Sequence, residues 1–66
     1  MEIQLNGTGR TLAGPCTIAA LLADAGFGER RVAVEINGEI VPRSAHATRE
    51  LAPGDRVEIV HALGGG

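Results

Sequence analysis

Apolar and polar side chains alternate over residues 1–5, which is the pattern of a half-buried β-strand. Asn6-Gly7 follows and is a strong signal for a hairpin turn, because both residues tolerate positive φ. Since Thr8-Gly9 comes next, we expect a loop slightly longer than two residues and a returning strand over residues 10–13. The chain therefore begins with a predicted β-hairpin.

The pattern changes to a helical period after Gly14-Pro15, which interrupts the second strand. Thr17 is placed to cap the first turn of a helix, and Gly26 suits the left-handed conformation in which helices commonly end. We predict one main helix over residues 17–25. Its apolar face has the spacing i, i+3, i+4 and i+7 and consists of Ile18, Leu21, Leu22 and Ala25.

Strand patterns return in the second half of the chain. A strand is predicted over residues 31–37, a short strand over residues 39–41 that stops at Pro42, and a last strand over residues 56–61. Residues 43–50 between them are polar and predict irregular structure. The strand-helix-strand crossover favours parallel pairing with a right-handed connection.

These elements predict an α+β fold with a mixed sheet of four to five strands and one main helix. Sixty-six residues are enough for one small domain, which we place at residues 1–62, followed by a flexible glycine tail at residues 63–66. The predicted core consists of Ile3, Leu5, Ile18, Leu21, Leu22, Val34, Ile36, Val57 and Ile59.

Charge and composition exclude several classes of function. The net charge is -2, lysine is absent, and arginines are scattered without aromatic stacking residues, so we expect no nucleic-acid partner. No apolar run approaches a membrane span and no leader pattern is present, so we expect no membrane partner and a cytoplasmic location. A single cysteine, Cys16, forms no internal disulfide and fits a reducing compartment.

Conventional catalytic or metal-binding residues are few. We expect His46 and His61 to be loop or solvated histidines without a metal, Cys16 to be an inert small apolar residue, and the strand carboxylates, Glu35 and Glu58 among them, to be solvated. No glycine-rich phosphate loop with lysine is present, so the chain is expected to bind no cofactor of its own.

The glycine tail is poorly explained by structure alone, because glycine contributes no core side chain and loses much backbone entropy when fixed. A frayed end or a linker remnant is one reading. The other is a thread that enters a narrow channel in a partner, where a Cβ would clash. Val60, by alternation, points away from the helix-covered face and predicts an apolar docking strip. The predicted partner-binding residues are Val60, Ala62, Leu63, Gly64 and Gly65.

Three stretches carry a family resemblance, at residues 17–22, 32–43 and 54–66, the last ending in Gly64-Gly65-Gly66. In these stretches the chain resembles the ThiS sulfur carriers of thiamine biosynthesis. That family has the ubiquitin-like β-grasp fold and is related to the small subunit of molybdopterin synthase. The resemblance implies a β-grasp fold with a flexible C-terminal Gly-Gly tail and a carrier, not an enzyme.

The resemblance also implies a chemistry performed on Gly66 by other proteins. A ThiF-like adenylating enzyme would use ATP to join the Gly66 carboxylate to AMP, and sulfur from a donor such as a persulfide-bearing desulfurase would replace AMP. The resulting thiocarboxylate would donate sulfur to a ThiG-like thiazole synthase. Two alternatives stay open: a related carrier for molybdopterin or another acceptor, and a ubiquitin-like modifier.

Overall fold

The computed structural model describes residues 1–27 and 31–61. In these residues the chain forms five strands, one α-helix and one short 3₁₀ helix at Arg43–Ala45. The strands and helix are β1 at Glu2–Leu5, β2 at Thr8–Thr11, α1 at Ile18–Asp24, β3 at Val32–Ile36, β4 at Glu39–Val41 and β5 at Arg56–His61. The predicted element order is confirmed, and the 3₁₀ helix adds regular structure to a segment expected to be irregular.

The strands form one mixed sheet in the order β2-β1-β5-β3-β4. The two hairpins, β1-β2 and β3-β4, are antiparallel, and β5 lies between them, parallel to β1 and antiparallel to β3. The expectation that the crossover through α1 joins paired parallel strands was wrong, because β1 and β5 separate β2 from β3. The parallel ladder instead joins β1 and β5, the first and last of the described strands.

Both hairpins turn on an Asn-Gly pair. Asn6 and Gly7 have φ of 51° and 83°, and Asn37 and Gly38 have φ of 52° and 88°, so all four residues are left-handed. This geometry matches the right-handed twist of the flanking strands. The first loop has only two residues, since Leu5 pairs with Thr8. The expected longer loop was therefore wrong, and β2 starts two residues before the predicted strand.

Helix α1 has the predicted caps. The Thr17 Oγ1 accepts a hydrogen bond from the Ala20 amide at 3.2 Å, which satisfies one donor that the first turn leaves unpaired. Gly26 has φ of 89°, the left-handed conformation expected after the helix. The helix proper is thus slightly shorter than residues 17–25, because both cap residues were included in that range.

The core lies between α1 and one face of the sheet. Leu5 is only partly buried and packs at the edge of the core, which corrects its assignment as a core residue. Leu12, Val41 and Leu51 were not predicted but are buried. The buried apolar residues are Ile3, Leu12, Ile18, Leu21, Leu22, Val34, Ile36, Val41, Leu51, Val57 and Ile59.

Candidate functional site

Strand β5 is the described element that precedes the glycine tail in the sequence. It occupies the centre of the sheet and has strand partners on both sides. Of the residues predicted to bind partners or carry sulfur, the structure describes Val60. The others, Ala62, Leu63, Gly64, Gly65 and Gly66, lie outside the described residues.

Two asparagine side chains fix β5 in addition to the backbone ladders. The Asn6 Oδ1 accepts a hydrogen bond from the Ile59 amide at 2.8 Å, and the Asn37 Oδ1 accepts one from the Arg56 amide at 2.9 Å. Asn37 Nδ2 also donates to Asp55 Oδ1 at 3.1 Å. Each Asn-Gly turn therefore reverses the chain and also holds the strand that precedes the glycine segment. Sequence reasoning assigned these asparagines to the turns alone.

The face of the sheet opposite α1, here called the outer face, bears the two large apolar side chains that are most exposed among the described residues. Val60 on β5 is 61% exposed, as the alternation predicted, and Ile40 on β4 is 65% exposed. Ala33 lies opposite Val60 in the ladder, so small and large apolar groups adjoin. Ile40 was missed, although the two-residue Asn37-Gly38 hairpin aligns it with Glu35.

Two carboxylates face each other across the same surface. Glu35 on β3 and Glu58 on β5 are directly opposite in the antiparallel ladder, and Ile40 is opposite Glu35 on the other side. Neither carboxylate forms a hydrogen bond or ion pair with the described residues. The outer face therefore combines exposed apolar groups with two unpaired acidic groups.

His46 lies in the turn after the 3₁₀ helix, as expected for a loop histidine, but it is buried and not solvated. Its side chain is enclosed where the 3₁₀ helix ends, and Nε2 donates a hydrogen bond to the Val41 carbonyl at 3.2 Å, because a carbonyl oxygen can only accept. The His46 carbonyl in turn accepts from the Ala19 amide at 2.8 Å. These contacts join the 3₁₀ segment to β4 and α1, so His46 has a structural role.

Cys16 lies beside a surface cavity of about 280 Å³ at the entrance to α1. Its Sγ is half-buried and donates a weak hydrogen bond to the Thr17 carbonyl at 3.3 Å. Across residues 1–27 and 31–61 no group of three or more His, Cys, Asp or Glu residues is arranged to hold a metal ion. The same residues contain no helix long and apolar enough to cross a membrane.

Similar proteins include thiazole synthases and a thiamine biosynthesis protein. Over all of its 66 residues the chain is 44% identical to a thiazole synthase of Paramagnetospirillum magneticum and 38% identical to one of Magnetococcus marinus. The chain spans about a fifth of the length of each synthase. It also matches the crystal structure of a thiamine biosynthesis protein (ThiS) from Geobacter metallireducens, with 32% identity, full coverage of both chains and a TM-score of 0.86.

The match to that structure identifies the mixed sheet with one helix as a β-grasp fold. The model of the ThiS family matches residues 3–66, a range that includes all of the sheet except Glu2 and every glycine of the terminal segment. The chain therefore belongs to the ThiS family.

Proposed function

We propose that this chain is a sulfur carrier for synthesis of the thiazole of thiamine and that sulfur is carried on the Gly66 carboxyl group. The family match that extends through Gly66 carries the proposal. The domain is a protein co-substrate: it has no phosphate loop with lysine for ATP, so activation falls to a partner enzyme.

The proposed chemistry has two steps on the carboxyl carbon of Gly66. The carboxylate attacks the α-phosphorus of ATP in a ThiF-like adenylating enzyme, pyrophosphate leaves, and an acyl adenylate forms. A sulfur nucleophile then adds to the acyl carbon and AMP leaves, which produces a thiocarboxylate. Hydrosulfide ion supplies this nucleophile in the simplest assay and gives the thiocarboxylate directly. A persulfide-bearing desulfurase is the proposed cellular donor; its terminal sulfur would displace AMP to form an acyl disulfide. A thiol would then release the thiocarboxylate by forming a disulfide with the donor cysteine.

A thiazole synthase is the proposed sulfur acceptor. In the two thiazole synthases named above, a segment similar to this whole chain is part of a longer polypeptide. Fusion of two domains in one polypeptide raises the effective concentration of each domain near the other. Such fusion is expected for domains that act together. This arrangement supports a thiazole synthase over a molybdopterin-forming acceptor.

The glycines before Gly66 are proposed to pass through a channel of the partner enzymes. Ala62 and Leu63 would continue the docking strip from Val60, and Gly64 and Gly65 would allow close approach of backbone to enzyme. Adding or removing one residue would displace the carboxylate by about 3.3 Å, and a displacement of about 1 Å can lower a rate about a hundredfold.

The test is intact-mass spectrometry after incubation with ATP, sulfide and an adenylating enzyme. We expect exchange of one oxygen for sulfur at Gly66 in the parent chain, and loss of that product on deletion of Gly66 or in Gly65→Val. Gly14→Val is the matched control, because a Cβ at Gly14 meets no atom within 4 Å and φ there is not positive. Sulfur found on Cys16, or transfer to a chain without Gly66, would contradict the proposal.

A further inference from the structure

The outer face carries a surface patch in which acidic and apolar side chains occupy defined positions on three neighbouring strands. We define the outer patch as Ala33, Glu35, Ile40, Glu58 and Val60. One row of the ladder places Ile40, Glu35 and Glu58 side by side across β4, β3 and β5. The adjacent row places Ala33 beside Val60. Two acidic groups thus have apolar side chains on β4 and in the adjacent row, and no second layer of the described structure covers them.

The acidic pair is unfavourable in the free chain. Side chains directly opposite in an antiparallel ladder have Cβ atoms about 4.5–5.5 Å apart, and like charges there destabilise the sheet. Arg56 lies two positions before Glu58 on the same strand face, but no ion pair joins it to either carboxylate. The ion pair present among the described residues joins Arg10 to Asp24, at the side of α1.

Backbone geometry holds the Cβ atoms of Glu35 and Glu58 at this spacing. The β3-β5 ladder extends over five residue pairs, with Glu35 and Glu58 near its centre, and Asn6 fixes the next amide of β5 at Ile59. A cation entering between the strands would meet two carboxylates whose side chains start side by side, so binding would require no ordering of the backbone. A guanidinium fits best because its planar donors can serve both carboxylates at once.

We propose that the outer patch binds a thiazole synthase surface that inserts one arginine or lysine side chain between Glu35 and Glu58 and covers Val60 and Ile40 with apolar groups. This inference rests on the proposed function, since the partner is the enzyme that receives sulfur from the terminal glycine. The acidic pair supplies charge selectivity, and the apolar border excludes water around it and strengthens the attraction. Continuity of the patch with β5 would place the glycine segment at the same enzyme.

The experiment measures the dissociation constant of a thiazole synthase for the full chain at low and high NaCl concentration. For Glu58→Gln and Glu35→Gln we expect binding to be about tenfold weaker at low salt and to depend less on salt. In each variant the cation of the synthase faces one carboxylate, whereas the parent chain offers two. Glu50→Gln removes the same charge from an exposed residue away from the outer face, whose backbone pairs with Thr17 in an isolated β-bridge. This control variant should change binding less than twofold.

A second variant separates binding from folding. In Glu58→Lys the new ammonium lies opposite Glu35 and replaces the partner's cation, so binding should be weakest while the urea midpoint of unfolding rises. Weaker binding together with a higher urea midpoint would exclude loss of folding as the cause of the weaker binding. Unchanged binding in all three patch variants would overturn the inference, as would a parent chain that forms the thiocarboxylate but does not bind the synthase. Absence of the thiocarboxylate would instead overturn the proposed function.

Discussion

The two faces of the sheet are formed by the same strands but differ in burial and in charge. Along β5, Val57 and Ile59 point into the core and are almost fully buried, whereas Glu58 and Val60 point to the outer face and are exposed. The inner face gains stability from packing against α1. The outer face retains exposed apolar groups and opposed carboxylates, neither of which favours the free chain. Stability is therefore concentrated on one face, and the other is available for recognition.

The largest expected effect comes from the inner face. Leu21 is fully buried on α1, so Leu21→Ala should lower the free energy of unfolding by about 2–5 kcal/mol, the usual range for truncating a buried leucine. For a domain this small that loss approaches the total stability. Urea denaturation followed by circular dichroism measures it. Ala20→Gly at an exposed position of α1 is the control and should cost about 1 kcal/mol; a Leu21 effect no larger than this would show that Leu21 is not core.

One substitution made on both faces of β5 compares them directly. Val57→Thr keeps the side-chain shape but buries a hydroxyl, which should lower stability by about 1–3 kcal/mol. Val60→Thr puts the same hydroxyl in water and should change stability by less than about 0.5 kcal/mol. Equal effects in urea denaturation would contradict the division between the faces. Val60→Thr should nevertheless weaken binding to the adenylating enzyme, since the proposed strip loses apolar surface.

The asparagine contacts predict an effect at individual amides. Asn6→Gly keeps the left-handed turn but removes the acceptor for the Ile59 amide, and it should cost about 0.5–1.5 kcal/mol. Hydrogen exchange measured by NMR should become faster at Ile59. Asn37→Gly is the matched control and should instead affect the Arg56 amide. A uniform change at all amides of β5 would show that neither side chain acts locally.

The smallest expected effect comes from the acidic pair. Replacing Glu58 by Gln should raise the free energy of unfolding by a few tenths of a kcal/mol, because like charges opposite each other destabilise a ladder. Added NaCl should stabilise the parent chain more than Glu58→Gln, since salt screens the repulsion that the variant lacks. Urea denaturation at two salt concentrations tests both statements, and a decrease in stability in the variant would contradict the unfavourable pairing.

Hydrophobic periodicity was sufficient to predict most of the fold. With the turn residues, it indicated five strands, the helix and the inward direction of Val57 and Ile59, although β2 begins two residues before the predicted strand. The helix caps followed from the residue types of Thr17 and Gly26.

Periodicity did not predict burial of Leu12, Val41 or Leu51, because each lies in or beside a short or irregular segment with too few residues to show a period. The polar segment after β4 likewise gave no indication that His46 is buried. Its burial depends on tertiary contacts, which a local sequence pattern does not show.

The candidate surface was predictable only in part. Exposure of Val60 follows from alternation along one strand, but the Glu35-Glu58 pair requires the register between two strands distant in sequence. That register depends on β5 entering between two hairpins, which no local pattern encodes. The side-chain contacts of Asn6 and Asn37 were missed for the same reason, since turn propensity explains these residues without reference to a third strand.

Parallel pairing of β1 with β5 has a consequence for how the protein is made. Because β5 separates the two hairpins, the sheet closes only when the residues of β5 become available to the residues of β1. A nascent chain that ends before residue 56 has two hairpins and a helix but lacks the strand that joins them. Synthesis of β5 is therefore the step that allows the sheet to close, and a translation product that ends before β5 would leave the two hairpins unjoined.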